Sequence, residues 1–358
     1  MVTPARVPAA LDRPLLVVVG GGGVGKTTLA AALGVQSALA GKRTLVMTFD
    51  PSLRLKDALG VGEAARDRGV RVPLDAPGTL DASLLDAKAT FDRLVSKYAP
   101  DPAAADRIFR NRFYRDLAGT LAGILEYMAM ERLFEARAEG AHDRIILDTP
   151  PTRQALDFLQ APDRIVDFLD SRAVKMALDP IWERDPRSMS LPARLAARAG
   201  MEMADRTLGR RFLEDLVEFV RAFNPLFDGF RDRAEEVRRL LRDEGTLFLL
   251  VAGPGPDRIP DAMFFLRKLK EAGHRLGPLV VNQVHPPVEN PRAGSPDLHP
   301  GLRLLAHLGS RDQEGLRQIR DLLPGPGSVL ELPAQPRPPS DLPSLAALAR
   351  AMLIQLDN

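Results

Sequence analysis

The chain has 358 residues, of which 45% are hydrophobic and 27% charged, fractions typical of a globular protein that exclude a disordered or fibrous class. The formal net charge of +2 is nearly balanced, so the composition favours no nucleic-acid partner. The absence of cysteine excludes disulfide bonds, thiolate zinc sites and a cysteine nucleophile, and it fits a cytoplasmic protein.

The sequence predicts no stable insertion into a membrane. No stretch approaches the roughly 18 apolar residues that a bilayer-spanning helix needs. Residues 1–14 contain early prolines and no apolar segment, so they do not resemble a signal peptide. We therefore expect a cytoplasmic protein.

The N-terminal part alternates strand and helix patterns. Residues 15–19 form a valine-rich apolar run, typical of a strand buried on both faces of a parallel sheet. After a glycine-rich turn, residues 26–40 predict an Ala- and Leu-rich helix that ends at Gly41. The next predicted strand covers residues 43–49. Further strands are predicted at residues 144–147, 246–252, 279–284 and 328–332.

Two long stretches interrupt this alternation. Residues 101–137 and 166–243 have helical periodicity and no convincing strand, which predicts a helical subdomain inserted into the core. The core itself is expected to be a doubly wound, mainly parallel α/β sheet of the P-loop NTPase type, because helical patterns of crossover length separate the strands. Its predicted segments are residues 14–100, 138–165 and 244–358.

A phosphate-binding loop is predicted at the first glycine-rich turn. Gly20 to Thr27 read G-G-G-G-V-G-K-T, which matches G-x-x-x-x-G-K-[ST] between a predicted strand and helix. We expect Lys26 to reach the β- and γ-phosphates of a nucleotide and the Thr27 hydroxyl to bind Mg²⁺. The alternative is a glycine-rich turn of an oxidoreductase, but such loops rarely carry the Lys-Thr pair. The predicted nucleotide contacts are Gly20, Gly21, Gly22, Gly23, Val24, Gly25, Lys26, Thr27 and Thr28.

Two aspartates follow predicted strands. Phosphoryl transfer needs a carboxylate near Mg²⁺ and a group that orients the attacking water. Asp148 follows the strand at residues 144–147, and Asp50 follows the strand at residues 43–49. Parallel α/β sheets bind ligands at the carboxyl ends of their strands, so we predict Asp148 as a Mg²⁺ ligand. An N-cap or loop role is the alternative for either aspartate.

Together these motifs resemble the ArsA/Get family, the arsenite-pump and tail-anchored-protein-targeting ATPases. Residues 17–28 resemble the family's P-loop, residues 49–60 (F-D-P-S-L-R-L-K-D-A-L-G) its switch I, and residues 148–159 (D-T-P-P-T-R-Q-A-L-D-F-L) its switch II. Asn282 resembles the strand-end asparagine that recognises the adenine base. The resemblance implies ATP and Mg²⁺ as cofactors, Asp50 as the residue that activates water, and either a homodimer or a dimer with a related ATPase. The chain looks closer to the bacterial, anion-transporting branch.

The chain departs from the family pattern in ways that bear on function. Gly21 stands where the family has a lysine that reaches across the dimer interface, and Arg54 and Arg153 are candidates to replace that charge. Arsenite recognition in the family uses thiolates, and its eukaryotic members join through a C-x-x-C zinc site. A chain without cysteine has neither.

The leading functional prediction is ATP hydrolysis coupled to opening and closing of a dimer and to handling of a hydrophobic protein client, such as a helix of a membrane protein. A nucleotide-gated scaffold or chaperone with negligible hydrolysis is the alternative, favoured by Gly21. A partition ATPase is disfavoured by the long helical insertion. Methionines in or beside the helical region fit either a client groove or ordinary core packing: Met128, Met130, Met176, Met189, Met201 and Met203.

Overall fold

The computed structural model describes residues 11–49, 54–61, 69–111, 114, 124–170, 226, 229–288, 299–325 and 327–357. The chain divides into two compact units. The first comprises Met1–Leu85, Glu135–Leu159 and Arg239–Asn358, and the second comprises Asp86–Phe134 and Gln160–Arg238. Within the described residues, no helix is both long and apolar enough to cross a bilayer.

The first unit is built on one sheet. In its described part the strands are β1 (Leu15–Gly20), β2 (Arg43–Thr48), β3 (Val70–Arg71), β4 (Thr79–Leu84), β5 (Arg144–Asp148), β6 (Thr246–Ala252), β7 (Leu279–Val284) and β8 (Val329–Pro333). Their order is β3-β4-β2-β5-β1-β6-β7-β8. All neighbouring pairs are parallel except the antiparallel pair β3–β4. The predicted doubly wound, mainly parallel α/β sheet is confirmed.

The described helices cover the sheet or belong to the second unit. Every residue of β1, β5 and β6 is buried, as expected of central strands covered on both faces. Residues of the helices α1 (Lys26–Leu39) and α9 (Leu342–Asp357), including Leu29, Leu345 and Met352, join β1 and β6 in one apolar core. The helices are α1 (Lys26–Leu39), α2 (Arg54–Leu59), α3 (Ala87–Tyr98), α4 (Pro102–Arg110), α5 (Ile124–Ala138), α6 (Thr152–Asp170), α7 (Ile259–Glu271), α8 (Pro300–Leu322) and α9 (Leu342–Asp357).

The strands β3 and β4 are absent from those predicted above. β3 has two residues, too few for any sequence pattern. β4 carries the charged residue Asp81 in its middle, which suggests a loop. In the fold, Arg71 Nε lies 2.6 Å and His142 Nε2 2.9 Å from Asp81 carboxylate oxygens. Burial raises the pKa of Asp81, but these two hydrogen bonds outweigh it and hold the pKa below its usual value.

A buried arginine lies at the amino-terminal end of β5. The Arg144 side chain is 1% exposed, and its three nitrogens donate to Arg13 O at 3.1 Å, Ser37 Oγ at 2.8 Å and Asp12 Oδ1 at 2.5 Å. Asp12 also accepts from Lys42 Nζ at 2.5 Å, and its pKa is lowered chiefly by Lys42 and also by the charge of Arg144. Arg144 therefore ties the segment before β1 to α1 and β5.

Replacing Arg144 with Met is expected to lower the free energy of unfolding by about 3 kcal/mol, because a buried side chain loses its three hydrogen bonds. Lys42→Met is the matched control, since Lys42 pairs with the same carboxylate but its side chain is 33% exposed. The control should cost less than about 1 kcal/mol. Urea denaturation measures both, and equal losses would contradict the structural role given to Arg144.

The described part of the second unit contains helices and no strand. Its interior holds an ion pair, in which Arg233 Nε lies 2.8 Å from both carboxylate oxygens of Glu131, and the two side chains are 7% and 6% exposed. The Arg233 guanidinium also lies 4.2 Å from the centre of the Tyr98 ring. Met128 and Met130 are each 2% exposed, so both methionines are buried. Met176, Met189, Met201 and Met203 lie outside the described residues.

Candidate functional site

The glycine-rich loop joins β1 to α1, and glycine is required at two of its positions. Gly20 has φ of 149°, and a Cβ built on it would lie 2.1 Å from Val251 O of β6. Gly25 has φ of 93° and is the N-cap of α1 without a side-chain capping bond. Both positions therefore require glycine. The loop ends at a helix N-terminus, whose first backbone N–H groups have no partner within the helix and favour anions.

Lys26, the first residue of α1, turns back over the loop. Its Nζ donates to Gly21 O at 2.7 Å, and the residue is only 7% exposed. A positive charge is thus held beside the loop backbone instead of extending into solvent. An ammonium group and helical N–H donors at one short loop form a site for an anion with several oxygens.

Asp148 and Thr27 meet beside this loop. Asp148 ends β5 and is fully buried, and its Oδ2 accepts from Thr27 Oγ1 at 2.7 Å and from Thr48 Oγ1 at 2.9 Å. Thr48 pairs with Asp148 in the register of β2 and β5, whereas Thr27 belongs to the first turn of α1. Residues far apart in sequence therefore place a carboxylate and a hydroxyl next to each other at the carboxyl edge of the sheet.

The ends of β2 and β5 are held together beyond this pair. Phe49 N donates to Asp148 O at 3.3 Å, and the Phe49 and Phe158 rings lie 5.2 Å apart. The Thr149 hydroxyl donates to Val18 O of β1 at 2.8 Å. Asp50, the next residue after Phe49, lies outside the described residues. So do the side chains of Arg54 and Arg153.

Asn282 lies on the other side of the loop, near the end of β7. The residue is 8% exposed, and its Nδ2 donates to Val24 O at 2.8 Å. This contact joins positions 258 residues apart, so no local pattern in the sequence predicts it. The structure therefore brings the predicted residues together at one loop. They are Lys26, Thr27, Asp148 and Asn282.

Arg258 is a further residue that the sequence did not single out. It ends the 3₁₀ turn Pro256–Arg258 after β6 and lines a cavity together with Gly20, Gly21 and Val24. Its side chain is 53% exposed and lies 3.4 Å from Asp257. An isolated surface arginine has no distinguishing sequence signal, so only the fold brings it to the loop.

The donors at the loop fit a magnesium ion. Mg²⁺ prefers oxygen ligands and is usually held by one or two protein groups together with water and the phosphates of a nucleotide. Thr27 and Asp148 supply a hydroxyl and a carboxylate at this position. Among the described residues there is no cluster of three or more His, Asp or Glu that could hold a metal ion alone. A metal bound here would therefore need oxygens from a nucleotide or water.

Comparisons with known proteins point to the same chemistry. Residues 14–294 match a family model described as anion-transporting ATPase. An uncharacterised protein of Streptomyces coelicolor is 30% identical over 272 residues, which cover 76% of this chain and 62% of that protein. A putative arsenical pump-driving ATPase 1 of Aquifex aeolicus is 29% identical over 144 residues, 40% of this chain and 36% of that protein. The ATPase GET3 of Chaetomium globosum is 32% identical over 145 residues, 40% of this chain and 41% of that protein. The matched part thus spans less than two thirds of each of these relatives.

Proposed function

Because this chain belongs to the anion-transporting ATPase family, we propose that it binds ATP with Mg²⁺ at the loop Gly20–Thr27 and hydrolyses it. Membership agrees with the resemblance of the loop and of the two switch segments to the ArsA/Get ATPases. The observation that carries the proposal is the 2.7 Å contact between Thr27 Oγ1 and Asp148 Oδ2 beside the loop. It joins the two oxygen donors that phosphoryl transfer on a P-loop requires.

Each group at the loop has a role in this proposal. Backbone N–H groups of Gly21 to Thr27 bind the phosphates, and Lys26 exchanges its contact with Gly21 O for the β- and γ-phosphate oxygens. Thr27 and Asp148 would hold Mg²⁺, and the ion would supply positive charge beside the phosphates. Asp50 orients the attacking water and accepts its proton.

We propose that hydrolysis opens and closes a dimer, either of two copies or with a related ATPase. A relative named ATPase GET3 and the resemblance of residues 49–60 and 148–159 to the family's switch segments support this coupling. A hydrophobic segment of a membrane protein is the proposed client, bound by the helical unit. Met128 and Met130 are buried, so a groove would be formed by other side chains.

An arsenical pump-driving role, as in the name of the Aquifex relative, is not proposed for this chain. Trivalent arsenic prefers soft sulfur ligands, and the chain contains no cysteine. A second candidate is a nucleotide-gated scaffold with negligible hydrolysis. It is favoured by Gly21, which replaces the lysine that the family pattern places in the loop.

Turnover of ATP at increasing protein concentration tests the proposal. With Mg²⁺ the native chain should release phosphate, turnover per chain should rise with concentration, and a chelator should abolish it. Asp50→Asn should lower turnover about 100-fold while ATP still binds, because it removes a general base and no phosphate contact. ATP binding without turnover by either protein would favour the scaffold, and no binding at all would overturn both functions.

A further inference from the structure

The contact between Asn282 and the loop has a defined direction. A carbonyl oxygen only accepts hydrogen bonds, so the Nδ2 group, and not Oδ1, must face Val24 O at 2.8 Å. The amide is packed tightly there, because a Cβ built on Gly25 would lie 2.3 Å from Nδ2. Asn282 therefore touches two consecutive residues of the loop.

The backbone of β7 is distorted at this point. Val281 pairs with Glu331 and Val284 with Pro333, so one extra residue of β7 lies between the two pairs. Such a bulge redirects side chains, and here Gln283 adopts φ of 65°, a left-handed conformation that costs about 1 kcal/mol for a residue other than glycine. As a result Asn282 is buried against the loop while Gln283 is exposed. A strained backbone held in place by its surroundings is common where a side chain must be aimed.

The bond to Val24 O sets the orientation of a neighbouring N–H group. The peptide between Val24 and Gly25 is planar and trans, so its N–H points opposite to its C=O. Since the C=O faces Asn282, the N–H of Gly25 points away from Asn282. In glycine-rich loops, such N–H groups are the donors to phosphate oxygens.

We propose that Asn282 is a positioning residue that holds the loop in its phosphate-binding form through Val24 O. The role rests on the proposed nucleotide site but differs from recognition of the base. We call this positioning role a brace. A brace affects the binding of every ligand that carries phosphates, whereas a contact with the base affects only ligands that carry a base.

Inorganic tripolyphosphate with Mg²⁺ separates the two roles, because it has the phosphates of ATP and no base. Calorimetric titration of the full chain should show that Asn282→Ala weakens tripolyphosphate and ATP alike, each about tenfold. Asn282→Asp, which keeps the size and removes the donor, should weaken both at least as much. The matched control is Gln318→Ala, because the Gln318 amide also donates a hydrogen bond, to Glu314 Oε1 at 2.9 Å, but lies on the exposed face of α8. It should change neither affinity by more than about twofold.

Two outcomes would overturn the brace. Loss of ATP affinity with unchanged tripolyphosphate affinity would assign Asn282 to the base alone, and unchanged affinity for both would leave it no role at the loop. Failure of the proposed function can be distinguished from these outcomes, because the native chain would then bind neither ligand. That result would also overturn the brace.

Hydrogen exchange of the protein without added ligand provides a second test of the proposal. Amides of residues 21–29 should exchange about tenfold faster in Asn282→Ala than in the native chain, while amides of β1 and β6 stay unchanged. Faster exchange throughout the sheet would instead indicate general destabilisation and count against a local brace.

Discussion

Lys26→Ala is expected to lower kcat/KM for ATP hydrolysis by about 1,000-fold, equivalent to about 4 kcal/mol. Lys26 is the buried ammonium at the loop, and its Nζ lies 2.7 Å from Gly21 O in the ligand-free arrangement. Phosphoryl transfer concentrates negative charge on the phosphate oxygens, so a fixed positive charge stabilises the transition state more than the bound substrate. Steady-state phosphate release measures the effect.

Folding of the variant has to be checked, because Lys26 also makes a loop contact. Loss of one hydrogen bond should cost about 1 kcal/mol of stability, far less than the expected effect on turnover. Lys268→Ala is the matched control, since Lys268 lies on α7 and pairs with Glu271 at 2.7 Å. The control should retain native turnover. The role of Lys26 would be contradicted if Lys26→Ala unfolded at the same temperature as the native chain and lost less than tenfold in kcat/KM.

The loop could be predicted from the sequence because its chemistry is local. Consecutive glycines followed by Lys26 and Thr27 must adopt a loop and a helix start, and the apolar run before them must be a buried strand. Asp148 could be predicted because a carboxylate after an apolar strand falls at the carboxyl edge of a parallel sheet. Both predictions depend only on the position of a residue at the start or the end of a helix or strand.

The remaining contacts depend on the order of the strands, which no local pattern contains. β5 lies between β1 and β2, and only this order places Asp148 within reach of both Thr27 and Thr48. The bond of Asn282 to Val24 further requires the bulge in β7, whose register is defined by β8. Arg258 likewise reaches the loop only because β6 lies beside β1.

β4 shows how a local pattern can mislead. A charged residue in a strand is usually unfavourable, and Asp81 lies in the middle of β4. The cost is offset by Arg71 and His142, whose side chains come from β3 and from the segment before β5. Tertiary partners therefore decide whether such a sequence forms a strand.

Asp148→Asn is expected to lower kcat/KM about 1,000-fold and to raise the Mg²⁺ concentration needed for half-maximal turnover. The substitution keeps the size of the side chain but removes the negative charge, so the fully buried group no longer attracts a divalent cation.

Two threonines provide a matched comparison, because Thr27 and Thr48 both donate to Asp148 Oδ2, at 2.7 Å and 2.9 Å. Thr27→Val should shift the Mg²⁺ dependence as Asp148→Asn does, since its hydroxyl is a proposed ligand. Thr48→Val should lower stability by about 1–3 kcal/mol and leave the Mg²⁺ dependence unchanged, because its hydroxyl only supports the carboxylate. A native Mg²⁺ dependence in Asp148→Asn, or equal shifts in the two threonine variants, would show that the metal is bound elsewhere.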